Sequence, residues 1–219
     1  MPVPVDQRRP STIVAARKCS FVDAMKIRYR PLICPFRDLL HYSDGSDRIA
    51  DIGCGSGQFA LMLANHASAS SIHGVEVNDR LIENANAGLR AGGPIRMPVH
   101  FRVFDGLHLP DDMRKCDLYY LIDVLHHIPA QKQTAFLEQL YETMPAGSRL
   151  VLKDIDAASP LVVFNKLHDL LLSGCLGHEW SETRARLTCE RIGFTLLEVQ
   201  RKRMFLYPHY ILHLEKPMA

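Results

Sequence analysis

The chain has no apolar run approaching the ~20 residues that a membrane-spanning helix requires, so a bundle of bilayer helices is excluded. It carries little surplus charge. Lys and Arg number 26 against 24 Asp and Glu, and a formal +2 does not by itself announce a nucleic-acid or membrane partner. The six cysteines, Cys19, Cys34, Cys54, Cys116, Cys175 and Cys189, form no CxxC pair and do not cluster with histidine. That argues against a disulfide framework or a structural zinc site, and no metal is assigned. Internal repeats and low-complexity tracts are also missing, so nothing divides the chain into separate domains. The first 18 residues hold Arg8, Arg9, Arg17 and Lys18 against Asp6 alone, without the apolar core of a secretory signal. A cytoplasmic setting is expected, with an organelle transit peptide as the alternative. A length of 219 residues, 47% hydrophobic content and a mean hydropathy of −0.06 suit a single soluble domain with a sizeable core.

The stretch Asp51-Ile52-Gly53-Cys54-Gly55-Ser56-Gly57-Gln58-Phe59 organises the rest. An apolar run begins ahead of it at Arg48-Ile49-Ala50, and Phe59 to Ala64 behind it reads as an amphipathic helix. The glycines therefore fall at a strand-to-helix turn, where they permit positive φ and a close backbone approach to a ligand. The helix that follows points its free N–H groups at the same place. A Walker loop would need Gly-Lys-Ser/Thr where this chain has Gly57-Gln58-Phe59, and a nicotinamide-binding loop is spaced Gly-x-Gly-x-x-Gly. Asp51 suits a ligand bearing a cation.

Strand and helix signals alternate from here. Ser71 to Asn78 and Val99 to Gly106 read as strands that close on acids. Asp117 to Leu125 is a nearly continuous apolar strand, as in the buried middle of a parallel sheet. Helices are expected from Asp79 and over Gln131 to Met144, and a further strand over Arg149 to Ile155. This pattern predicts a doubly wound α/β domain with every strand's C-terminal end on one rim, so Asp51, Glu76, Asp105, Asp123 and Asp154 should converge there. Ser20 to Tyr42 predicts two short helices kinked at Pro31 and Pro35 behind a proline-rich arm over residues 1–12. Residues 157–178 predict an inserted apolar helix, Ser181 caps another helix, and Thr195 to Arg203 and Pro208 to Glu215 predict two strands joined near Tyr207-Pro208.

Asp51, Gly53, Gly55 and Gly57 match the pattern of motif I, and here the chain resembles the class I S-adenosylmethionine-dependent methyltransferases; the subfamily is not assigned. From this loop onward the resemblance covers most of the chain. It implies the Rossmann-like methyltransferase fold, a seven-stranded mostly parallel sheet closed by a C-terminal antiparallel hairpin, with S-adenosylmethionine as cofactor. It further implies that Glu76, in Val75-Glu76-Val77, accepts from the ribose hydroxyls, that Asp105 with Gly106 lies near the adenine amino group, and that Asp123 lines the methionine end. Residues 1–42 would form an arm and lid helices, from which Arg28 and Arg30 reach the cofactor's carboxylate. Residues 157–178 would form a second lid over the crevice.

Methyl transfer is an in-line displacement that asks the protein for alignment and, for a protonated acceptor, a base. His126 and His127 follow the central strand, and His168 with Asp169 lies on the inserted helix; His178 and Glu179 are further pocket candidates. No Asn/Asp-Pro-Pro-Tyr/Phe follows Ile122 and no Pro-Cys pair occurs, which disfavours methylation of bases in nucleic acid. The apolar inserted helix favours a small hydrophobic or aromatic metabolite as acceptor, and so a place in small-molecule biosynthesis. Two alternatives stay open. The basic N-terminal region and Arg201-Lys202-Arg203 admit an RNA acceptor, and the scaffold could serve a binding protein without turnover. Sequence leaves the oligomeric state undecided.

Overall fold

The structure is a computed structural model describing residues 29–30, 32–92, 95–173 and 176–218, with the side chains of residues 168, 169 and 171–173 also outside the description. The basic arm, Arg28 and the side chains of His168 and Asp169 therefore lie outside the described residues.

Seven strands form one sheet in the order β3-β2-β1-β4-β5-β7-β6. They are β1 (Arg48–Ile52), β2 (Ser71–Glu76), β3 (Val99–Val103), β4 (Leu118–Ile122), β5 (Arg149–Ile155), β6 (Thr195–Met204) and β7 (Tyr207–Glu215). The first five are parallel, and β7 runs antiparallel to both β5 and β6. The α-helices with both ends among the described residues are α1 (Phe36–Leu40), α2 (Gln58–His66), α3 (Asp79–Ala91), α4 (Gln133–Thr143), α5 (Val162–Ser173) and α6 (Glu182–Ile192). Strand order reverses between β1 and β4, and a crevice opens at such a switch point beyond the strands' C-terminal ends.

Every residue of β4 is buried, as its unbroken apolar run predicts. Alternate side chains feed two cores. Leu118, Tyr120 and Ile122 join Phe36, Phe59, Leu63 and Ile82 on one face, while Tyr119 and Leu121 join Phe136, Leu137, Leu140 and Ala185 on the other. Both buried tyrosines keep a partner, Tyr120 donating to the Leu39 carbonyl at 2.8 Å and Tyr119 to the Met113 carbonyl at 2.5 Å. Asn78 caps α3 by accepting from the Arg80 N–H, and Ser181 caps α6 by accepting from the Arg184 N–H.

The observed boundaries correct the expected ones in two informative places. β4 stops at Ile122 rather than Leu125, because Asp123 takes φ 56° and cannot continue a strand. The hairpin turn falls at Phe205-Leu206, with Phe205 at φ 53°, and not at Tyr207-Pro208. Pro208 is accommodated inside β7, where its carbonyl accepts from the Asp156 N–H at 2.8 Å.

Gly57 opens α2 at φ 75°, and a Cβ there would stand 2.7 Å from Phe101 Cζ and 2.9 Å from Ala85 Cβ. Backbone strain and a double clash thus coincide. Gly57→Ala is expected to destabilise the fold by roughly 1–3 kcal/mol, read as a lower urea midpoint at unchanged slope. An unshifted midpoint would show that α3 and β3 yield to it.

Candidate functional site

The loop leaving β1 holds three glycines in the left-handed region, Gly53 at φ 71°, Gly55 at φ 55° and Gly57 at φ 75°. A Cβ at Gly53 would lie 2.3 Å from Val124 Cγ2, so the loop is wedged against the chain leaving β4. Gly55 differs. Among the described residues a Cβ there would meet only the Arg30 guanidinium, at 3.5 Å, which leaves room for a ligand to approach.

Asp51 is buried at the end of β1, and its Oδ2 has no hydrogen-bond partner among the described residues. Burial pushes its carboxyl up to about 7, against the opposing pull of Arg30 and with a further push from Glu76. At the end of β2, Glu76 is fixed by three backbone donors: the Gly55 N–H reaches Oε2 at 3.1 Å, and the N–H groups of Val77 and Asn78 reach Oε1 at 2.8 and 3.1 Å. Val77 is exposed beside it, and a Cβ on Gly106 would lie 3.3 Å from Val77 Cγ1, which brings the turn after β3 to this side. Asp105 is exposed. Its Oδ1 accepts from the N–H groups of Leu107 and His108, its Oδ2 lies 2.6 Å from His108 Nδ1, and these bonds hold its carboxyl down at about 2.

Asp123 is held on the other side of the loop by Lys153 of β5, whose side chain is fully buried, and the Arg30 guanidinium stands 3.8 Å away. Arg30 also donates to the Ile122 carbonyl at 3.4 Å. Lys153 and Arg30 outweigh desolvation and hold the Asp123 carboxyl well below the usual range, while Asp123 outweighs desolvation and raises Lys153. Cys34 and His209 complete this buried group. Burial pushes the Cys34 thiol up to about 12. His209 lies with Nε2 2.8 Å from the Ile33 carbonyl oxygen and is held down at about 4 by burial and by Lys153.

The expected acids thus separate. Asp51, Glu76 and Asp123 gather around the glycine loop and Arg30, Asp105 stands out at the rim, and Asp154 turns into the interior. There Asp154 accepts from the His126 N–H at 3.1 Å, with His126 Nδ1 2.5 Å from its Oδ1. His126 is therefore buried rather than at the crevice mouth, and its carbonyl accepts from the His178 N–H at 2.7 Å. His127 is exposed, its ring centroid 4.0 Å from that of His126. Its crowded ring and the neighbouring His126 hold it down at about 4. Glu179 accepts from Asn165 of α5 at 3.0 Å, tying that helix to the same loop. Sequence reasoning missed Lys153, Cys34 and His209. The one signal available was a lysine inside the apolar strand Leu150-Val151-Leu152-Lys153-Asp154-Ile155, where solvation is impossible.

Residues 49–147 match the family described as methyltransferase domain. That segment of the chain is similar to a methyltransferase domain. Over 109 residues it is 30% identical to 27-O-demethylrifamycin SV methyltransferase of Amycolatopsis mediterranei, covering 49% of this chain and 38% of that protein. An O-methyltransferase of Penicillium expansum is 32% identical over 114 residues, 52% of this chain and 40% of that one. The chain thus spans about two fifths of the length of these curated relatives. Among solved structures, magnesium protoporphyrin IX methyltransferase from Synechocystis with bound S-adenosylhomocysteine superposes with a TM-score of 0.69 at 20% identity, covering 93% of this chain and 91% of that one. At 14% identity, the putative methyltransferase complexed with the Haloferax volcanii Trm112 activator gives 0.70 over 90% and 94% of the two chains. These likenesses establish that the methyltransferase fold extends beyond the matched segment.

Removing one partner of a buried ion pair strands the other charge. Lys153→Met is expected to destabilise the domain by about 3–5 kcal/mol. Because the folded Asp123 carboxyl lies below its unfolded value, its contribution is present above about pH 4 and fades as pH falls further. Acid denaturation of Lys153→Met should accordingly lose that part of the pH dependence; a midpoint equal to wild type would mean the pair is neutral to stability.

Proposed function

We propose that the chain binds S-adenosylmethionine at the loop after β1 and transfers its methyl group to a small hydrophobic or aromatic acceptor. The observation that carries the reading is the buried Asp51 Oδ2, without a partner among the described residues, at the start of the loop whose Gly55 leaves space for a ligand. A carboxylate denied both solvent and a donor is relieved by a cationic ligand group, and S-adenosylmethionine has an ammonium as well as a sulfonium. The remaining residues fit the same molecule. Glu76 keeps an acceptor site for a ribose hydroxyl after its three backbone bonds, since an ionised carboxylate offers about four. Val77 and Leu107 are exposed apolar side chains next to Gly106, suited to the faces of an adenine ring, with Asp105 as acceptor at its edge. Arg30 is placed for a carboxylate.

The cofactor supplies the electrophilic methyl. The protein's part is to fix the loop, hold the acceptor in line and exclude water. His127 is the histidine we assign to the acceptor side, and we assign His126, locked on Asp154, to holding the loop in place. Leu161 is half-buried and Phe164 exposed, so α5 is not consumed by the core and serves as the acceptor lid. The relatives named for O-methylation and for a rifamycin intermediate favour a small metabolite over RNA.

Three outcomes follow. Calorimetric titration should show micromolar binding of S-adenosylmethionine and S-adenosylhomocysteine that Glu76→Ala weakens by at least about tenfold, the loss of one charge-assisted contact; equal affinity for NAD would sink the reading. Because a cation favours ionised Asp51, S-adenosylmethionine affinity should rise by up to about tenfold per pH unit towards pH 7 and level off above it, with proton release that Asp51→Asn abolishes. A flat profile would show that no cation reaches Asp51. His127→Ala should lower turnover on a phenolic or lipid-like acceptor, with the wild-type rate showing no histidine inflection between about pH 5 and 8, since the ring is already neutral there.

A further inference from the structure

Arg30 comes to the glycine loop on a short helical turn, and its own side chain does little to hold it there. Its guanidinium lies 3.4 Å from the Ile122 carbonyl and 3.8 Å from Asp123, both long contacts, and the side chain is 30% exposed. The turn is closed by the Cys34 N–H, which donates to the Arg30 carbonyl at 2.8 Å. Pro35 disfavours a helical conformation at Cys34, so the helix ends at Ile33. A carbonyl at such an end has no donor from the next turn. His209 of β7 supplies one, with Nε2 2.8 Å from the Ile33 oxygen. Burial and Lys153 keep this imidazole neutral, at about 4. Because a carbonyl can only accept, the single N–H of the neutral ring is on Nε2 and is committed to Ile33. His209 is buried opposite Ile155, and its Nδ1 has no hydrogen-bond partner among the described residues. Burying a ring nitrogen without a partner costs stability, so histidine fills this space less well than an apolar side chain would. What it adds is the reach to one backbone oxygen, three residues beyond Arg30.

We propose that His209 is a positioning residue for the cofactor's carboxylate: by holding the Ile33 carbonyl it fixes the turn that carries Arg30 over the glycine loop. The inference rests on the reading that this loop binds S-adenosylmethionine, and it gives β7, separated from β1 by two strands, a part in that binding. The guanidinium would meet the carboxylate of the methionine end. A cation already in place loses little freedom when the ligand arrives, whereas one on a loose turn must be ordered at the moment of binding. His209 touches no part of the ligand in this account and acts through Arg30 alone.

The test is calorimetric titration of the full chain with S-adenosylmethionine and with its decarboxylated form, which keeps the sulfonium and the amine but lacks the carboxylate. His209→Ala should weaken the first by about tenfold and the second by less than about twofold. His209→Gln, whose side-chain amide can donate to the same carbonyl, should stay within about threefold of wild type for both. Arg30→Ala should show the same preference for the decarboxylated ligand, and adding His209→Ala to it should change affinity by less than about twofold, since both remove one contact. A readout without ligand accompanies these: amide hydrogen exchange over residues 32–36 should quicken at least about fivefold in His209→Ala and not in His209→Gln. Equal loss for the two ligands overturns the proposal, because a purely structural defect does not single out the carboxylate. Losses that multiply in the double variant, or exchange equal to wild type, also overturn it. If His209→Ala unfolds by far-ultraviolet dichroism, His209→Leu, closer in volume, is read in its place against the same outcomes. A wild-type chain that binds neither ligand overturns this inference and the cofactor reading together; a wild-type chain that binds S-adenosylmethionine no more tightly than His209→Ala does overturns this inference alone.

Discussion

The buried pair of Lys153 and Asp123 is the constraint on which the site depends. An ammonium at the centre of β5 has no access to water, so it is tolerated only with a carboxylate brought to it. Asp123 meets it from the adjacent strand by leaving the extended conformation, and that departure ends β4 three residues earlier than its apolar sequence suggests. Val124 is thereby turned against Gly53, where a side chain would not fit. The tight glycine loop, the end of β4 and the entry of Arg30 between them are consequences of a single electrostatic requirement. Cys34 and His209, both buried and both beside the pair, close it from the N-terminal segment and from β7.

Much of this architecture was legible in the residues. β5 begins and ends where expected, α6 starts at its serine cap, and the three glycines adopt positive φ because nothing else in the sequence could make that turn. What failed to show has a common cause. The positive φ of Asp123 and of Phe205 is imposed by contacts between segments distant in sequence, and no local propensity encodes it. The buried direction of His126 was invisible for the same reason. A histidine after a central strand is as compatible with the crevice mouth as with an inward bond, and only Asp154, 28 residues on, decides between them. Reading five acids as one convergent set also ignored that successive residues of a strand point to opposite faces. Lys153 and Asp154 are consecutive in β5, so Lys153 meets Asp123 while Asp154 turns away to His126.

The two buried carboxylates at the switch point are unequal by construction. Asp51 and Asp123 end neighbouring strands, yet burial without a donor raises one to about 7 and a lysine contact holds the other well down. Pairs of titratable groups pushed apart in this way mark places where charge is to be received. Among the described residues around the glycine loop, three carboxylates, Asp51, Glu76 and Asp123, face two cations, Arg30 and Lys153. Lys153 is committed to Asp123, and Arg30 is divided between that carboxylate and the Ile122 carbonyl. Among the described residues the carboxylates of the loop outnumber its cations by one, and burial raises Asp51 to about 7. On the proposed reading, a ligand that brings its own cation would favour the ionised carboxylate, so recognition of charge and release of a proton would be one event at Asp51.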